Sequence, residues 1–292
     1  MQKKIFMKIK NYLSLAVLGL TTSIVQAQEL PKSSSEAFVK QRIGLTDVTI
    51  TYSRPNVNDR EVFGEVVSYD KIWRAGANKS TKITFSDDVT IDEQVLKAGD
   101  YAFYLIPSEN NKWVVVFNTD ADSWGVYNYD ETKDVLRIEV DVLENEEVES
   151  LTYGFENVKG DKGELVFEWD TKKISLPIIV EVNKKAWANI ENAISENEGE
   201  DKAKVYVNAV DYALETNEKL ENALVWIDEA IAIKDGWYAH WMKAEVLHAL
   251  KDDKKAKKEI KLAFKMGEKL EGNKLETFKR YQARIEELVA TW

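Results

Sequence analysis

"YAFYLIPSENNKWVVVF", Tyr101 to Phe117, holds two short runs rich in aromatic and β-branched residues, separated by the turn residues "SENNK". Each run alternates with period two, which a half-buried strand shows and an amphipathic helix does not. The pair reads as a hairpin. The same signature recurs outward on both sides, in "VTITY" and "TKITF" before it and in "LRIEVDV", "LVFEW" and "ISLPIIV" after it. "LKAGDY" and "VKGDKG" supply turns, with Gly99 at the bend of the first. About ten strands follow from this spacing, and the long helical stretches that parallel crossovers need are absent between them. Residues 36–182 are expected to form an antiparallel β-sandwich-like domain.

After Asn183 the period changes. Alanine, leucine and charged residues recur at helical spacing. "ENALVWIDEAIAI" and "KKAKKEIKLAFKM" align, Ala223 with Ala256 and Ala230 with Ala263, an offset of 33 residues. That is close to the period of about 34 of a tetratricopeptide repeat. "WYAHWMKAEVLHAL" fits the first helix of such a repeat, with Met242 where a glycine is expected, and "KLETFKRYQARIEELVATW" fits a terminal helix. Residues 183–292 are therefore expected to hold about six helices in a tetratricopeptide-like array, with "SENEGEDK", Ser195 to Lys202, as the loop between the first two. The fold class is α+β, in two domains.

The chain opens with Lys3, Lys4, Lys8 and Lys10, then the apolar run "YLSLAVLGLTTSIV" and the small residues around Val25-Gln26-Ala27. This is the layout of a secretory signal peptide, too short to span a bilayer. The expectation is cleavage near Ala27-Gln28 and an exported protein, periplasmic or extracellular, with no membrane span afterwards. The signal is complete from Met7 onward. No cysteine is present, which excludes disulfides, lipidated cysteine and thiolate chemistry. Net charge is −11, and loss of a leader with four lysines and no acid takes it to −15. An acidic surface of this size argues against nucleic acid as a partner.

The only histidines, His240 and His248, fall in the helical half without metal-pair spacing. Histidine-dependent triads and histidine zinc sites are therefore excluded from the β half. No phosphate-binding glycine loop occurs, and "NTDADS", Asn118 to Ser123, lacks the glycine and distal glutamate of a calcium loop. No catalytic residue, metal ligand or cofactor is assigned. The arginines carry more information. In a lysine-rich chain, Arg54, Arg60 and Arg74 cluster within "SRPNVNDREVFG" and "IWRAGAN". A guanidinium offers a planar fork that grips a carboxylate or phosphate at two points. Two readings stand. Arg54 and Arg74 either pair with Asp59, Asp70 or Asp100 as braces, or hold a small anionic or hydroxyl-rich ligand. The candidate binding set is Arg54, Asn56, Arg60, Trp73, Arg74, Asn78 and Trp124, with Gly76 bending the chain between Arg74 and Asn78. Trp113 and Trp169 lie in strands and are expected in the core.

In order along the chain, "YSRPNVNDREVFG", "IWRAGANKSTKITFS", "LKAGDYAFYLIP", "WVVVFN", "WGVYNYD" and "DVLRIEV" resemble the domain of unknown function 2911 family, over about Glu36 to Val182. The resemblance implies a secreted protein of Bacteroidetes type and continuity of fold, and no activity. The chain departs from the family at Asn58-Asp59, where members often place a glycine before the arginine. Three function classes follow, in this order: a small-ligand or glycan-binding module, a protein or peptide interaction protein acting through the helices, and a carboxylate-dependent hydrolase.

Overall fold

A computed structural model describes residues 30–292; the expected leader and its junction at Ala27 lie outside them. Ten antiparallel strands form two sheets. The larger holds β1 (Ser35–Ile43), β2 (Thr46–Arg54), β3 (Thr81–Phe85), β6 (Gly99–Ile106), β7 (Lys112–Asn118) and β8 (Asp134–Asp141), in the order β1-β2-β3-β6-β7-β8. The smaller holds β4 (Val89–Ile91), β5 (Gln94–Leu96), β9 (Leu143–Lys159) and β10 (Lys162–Val180), in the order β5-β4-β10-β9. The Tyr101–Phe117 hairpin lies in the larger sheet, with Phe103 opposite Phe117 and Leu105 opposite Val115.

Its two parities face different surroundings. Tyr101, Phe103 and Leu105 enter the core between the sheets. Ala102, Tyr104 and Val116 pack instead under Ile72, Val126 and Tyr129, from segments that cross the outer face. Both faces of the hairpin are thus covered, which is why its strands are apolar at nearly every position. Between the sheets Phe63, Trp73, Trp113, Phe167 and Trp169 form one aromatic cluster. Offset and edge-to-face contacts of this kind add to the area they bury.

"LVFEW" and "ISLPIIV" are not two strands. They run continuously as β10, whose register against β9 shifts on either side of Asp170. Asp170 adopts a left-handed φ of 55°, so an irregularity bends the strand without ending it.

Six helices follow: α1 (Val182–Glu196), α2 (Gly199–Thr216), α3 (Leu220–Ile233), α4 (Trp237–Ala249), α5 (Asp253–Gly267) and α6 (Gly272–Val289). The loop expected over Ser195 to Lys202 is shorter: Asn197 and Glu198 alone separate α1 from α2, because Gly199 takes a left-handed φ of 56° at the start of the second helix. Ala223, Ala230, Ala256 and Ala263 are all buried, at the points where small side chains let helices approach. Gly267 goes further. A Cβ there would overlap the ring of Phe278, which is itself 1 % exposed, so α5 and α6 meet backbone to ring.

Strand and helix regions have separate cores. Their junction is short. Val182 packs on the β core and over Gly44, and Lys185 Nζ donates to Leu45 O (2.8 Å) and pairs with Asp87 (2.6 Å). Burial pushes the Asp87 carboxyl up, but Lys185 and Ser86 more than offset it and hold it below the usual value. Because the cores are separate, a fragment of residues 28–183, which keeps Val182, is expected to fold alone. Circular dichroism should show a β-type spectrum and a cooperative melt. Collapse of that fragment, with rescue by adding the helical segment, would show that the two regions share one core.

Candidate functional site

The segment from Trp73 to Ser80 crosses one end of the sandwich. Trp73 exchanges two backbone hydrogen bonds with Leu105, at 2.8 and 2.9 Å, which fixes where Arg74 begins. The left-handed residues are Ala75 (φ 50°) and Asn78 (φ 60°), not Gly76. Gly76 is required for another reason. A Cβ there would lie 2.9 Å from Thr81 Oγ1 and 3.1 Å from the carbonyl of Ser53, so the turn packs against the end of β2. Ala77 N donates to that same carbonyl at 3.3 Å. The "SRPN" and "RAGAN" turns therefore touch.

Ala75 is fully buried, and its carbonyl accepts from two hydroxyls, Thr81 Oγ1 and Tyr153 OH, both at 2.8 Å. A non-glycine residue in the left-handed region costs roughly 1–2 kcal/mol, and two buried hydrogen bonds of about 1 kcal/mol each offset that cost. A second hydroxyl cluster closes the site from outside. Ser80, Tyr104 and Ser123 are mutually hydrogen-bonded, and Ser80 Oγ donates to Gly125 O at 2.7 Å. This pins Gly125, with φ +64°, so close to Arg74 that a Cβ there would stand 2.9 Å from Nη1.

A recess of about 440 Å³ opens at this end. Asn56, Arg60, Trp73 and Arg74 line it, four of the seven residues singled out by sequence. The other three lie elsewhere. Arg54 reaches across to β9, donating from Nε to Leu151 O (2.9 Å) and from Nη2 to Thr152 Oγ1 (2.8 Å), so it ties the two sheets together. Asn78 Nδ2 donates to Ser34 O and Ser53 Oγ, both at 3.2 Å, and holds the turn. Trp124 is half exposed on the outer loop and does not line the recess. The carboxylate partners suggested for Arg54 and Arg74 are not used: neither arginine forms an ion pair among the described residues, and Asp100 instead bonds Thr84.

Arg60 spends Nε on Val57 O (2.9 Å) and Nη2 on Asn56 O (2.7 Å), and so shapes the rim. The preceding Asn58 and Asp59 both have left-handed φ, 51° and 55°, which explains why a glycine would suit this turn. Arg74 differs. Its Nε is buried and has no hydrogen-bond partner among the described residues. The same is true of Trp169 Nε1, on a ring 1 % exposed that stacks on Trp73 at 5.7 Å and also lines the recess. Sequence reasoning placed Trp169 in the core and missed this second role. Its parity matches Phe167, and nothing local marks where its N–H points.

A second recess, about 420 Å³, lies among α2, α4 and α6. Asp211 and Glu215 enter from α2, Glu245 and His248 from α4, and Arg284 from α6. Burial pushes the Glu245 carboxyl up to about 7; Arg284 opposes the shift and Asp211 adds to it. Trp241 Nε1 faces this carboxylate without completing a hydrogen bond. His248 is engaged with Asp253 at 2.7 Å and stacks on Trp292, and His240 sits between Asp235 and Glu259. Among the described residues no group of three or more histidine, aspartate or glutamate side chains is placed to hold a metal. "NTDADS" forms a turn in which Ser123 N donates to Asp120 O.

Fold and site together define a two-part protein: an antiparallel sheet domain with a donor-lined recess, followed by six helices. The sheet domain has recognisable kin. Residues 34–178 match the family described as "Protein of unknown function (DUF2911)", and the match ends where β10 runs into the helices. No curated protein and no solved structure gives a match to the chain.

The Glu245 site generates a pH prediction. Its folded-state pKa, about 7, exceeds the ordinary 4.5, so the folded state holds the proton more tightly than the unfolded chain. The associated stability is fully present below pH 4.5 and is lost as pH rises through 7. Glu245→Gln is expected to melt with the wild type near pH 4.5 and several degrees above it at pH 8. Melting curves that run parallel across that range would contradict this.

Proposed function

We propose that this is an exported binding protein whose sheet domain holds a small, acceptor-bearing ligand in the Arg74 recess. The carrying observation is that Arg74 and Trp169 both line this recess and each holds a buried N–H, Nε and Nε1, with no partner among the described residues. A buried donor left unpaired costs roughly 1–3 kcal/mol, and a ligand that reaches it as the recess side chains adjust supplies the missing acceptor. The lining contains no aspartate, glutamate, histidine or lysine, so no general acid or base is at hand. That favours binding over carboxylate-dependent hydrolysis. The helical half, read as a tetratricopeptide-like array, is the interaction domain for a separate protein or peptide, a reading supported by the recess shared by α2, α4 and α6.

Arg74→Lys tests the reading, because it keeps the charge and removes both Nε and the fork. The protein purified from its native envelope should retain a small molecule by native mass spectrometry, and the variant should lose it. After the ligand is stripped from both, the two should melt within about a degree. Equal ligand retention, or a variant that melts several degrees lower when stripped, would show Arg74 to be a structural element.

A further inference from the structure

Resting on that binding reading, we infer that the ligand carries an anionic oxygen group, of the carboxylate or phosphate class, on an apolar body. Charge comes first. Arg60 and Arg74 are the charged residues of the lining, and no acid faces them. Arg60 uses two of its nitrogens on backbone carbonyls, which leaves its charge without a counterion. Arg74 has neither an ion pair nor a side-chain hydrogen bond among the described residues. This positive recess sits in a protein whose net charge is −11, so it is a local feature and not part of a general basic surface. An uncompensated, partly buried guanidinium is costly, and an incoming anion is the group that neutralises it.

Hydrogen-bond supply separates an anion from a sugar. A hydroxyl donates as well as accepts, so a hydroxyl-rich ligand needs acceptors from the protein. The recess has no carboxylate, the side-chain oxygen of Asn56 already accepts from Ser150 Oγ at 2.7 Å, and the other side-chain acceptors, the Asn58 amide oxygen and the Ser33 and Ser34 hydroxyls, are neutral. What it offers in excess is positive charge, two guanidinium groups with no acid in the lining. A carboxylate or phosphate only accepts, and its several lone pairs suit the guanidinium groups of Arg60 and Arg74 that line the recess.

The size of the recess indicates the rest of the ligand. A volume of about 440 Å³ falls in the range of sites for small organic molecules, which a bare oxyanion leaves mostly empty. Val66, Val67, Ile72 and Val126 supply apolar wall for a hydrocarbon or aromatic body.

The test uses matched probes on the ligand-stripped full chain, followed by ligand-observed nuclear magnetic resonance: phenylacetate, phenyl phosphate, the neutral phenylacetamide and glucose. Phenylacetate or phenyl phosphate should bind at least tenfold more tightly than phenylacetamide and glucose. The better of the two acids identifies the carboxylate or phosphate class. Trp169→Phe, which removes the N–H together with the five-membered part of a buried indole, should weaken the acids several-fold more than phenylacetamide, with its melting recorded separately because a core cavity is also expected. Arg74→Gln should erase the preference for acids. If phenylacetamide or glucose binds as tightly as the acids, the anionic assignment falls and the binding reading stands. If no probe binds and nothing co-purifies, both fall. Acid binding that neither substitution alters would place the site elsewhere.

Discussion

Two hydroxyls converge on one carbonyl, that of Ala75, and the recess depends on this junction. Thr81 belongs to the larger sheet and Tyr153 to the smaller, so the junction is reached only when the two sheets are packed. It holds a buried alanine in a left-handed conformation and thereby fixes the direction in which Arg74 leaves the backbone. The close packing of Gly76 on Ser53 and the contact between Arg74 and Gly125 leave that side chain little room to turn away. Arg74 is thus positioned by the fold while its own polar atoms stay unspent. The contrast with Arg54 is instructive, since Arg54 is equally part of the sheet interface yet uses its guanidinium to cross-link it.

The helical half is organised differently. Its rows of alanine and the overlap between Gly267 and Phe278 are features of close helix packing. Its polar residues are mostly satisfied by one another: Lys243 by Asp228 and Glu259, His240 by Asp235 and Glu259. Glu245 is the departure, a half-buried carboxyl beside both an arginine and an aspartate. The two halves meet through Lys185 and Asp87, and only Glu181 separates β10 from α1.

The strands were legible because side-chain parity is local. Tyr101 to Phe117 announces a hairpin, and the alanine offset announces paired helices. The continuity of β10 through Asp170 was not legible, because an irregular residue in a bent strand has the same composition as a turn. The candidate site divides along a similar line. Asn56, Arg60, Trp73 and Arg74 stood out by residue type in a lysine-rich chain. Whether an arginine is spent or free depends on partners far along the chain: Leu151 lies 97 residues from Arg54, and Ser34 lies 44 from Asn78. Trp169 was hidden for the same reason, since its role arises from contact with Trp73 across the core.

The unpaired N–H groups of Arg74 and Trp169 are the features that the proposed ligand would meet. A high-resolution crystal structure of the protein purified from its native source tests this most directly. The expected result is density for a small molecule in the recess, with oxygen atoms within hydrogen-bond distance of both Arg74 Nε and Trp169 Nε1. Arg74 turned onto a carboxylate of its own chain, with the recess closed over Trp169, would contradict it.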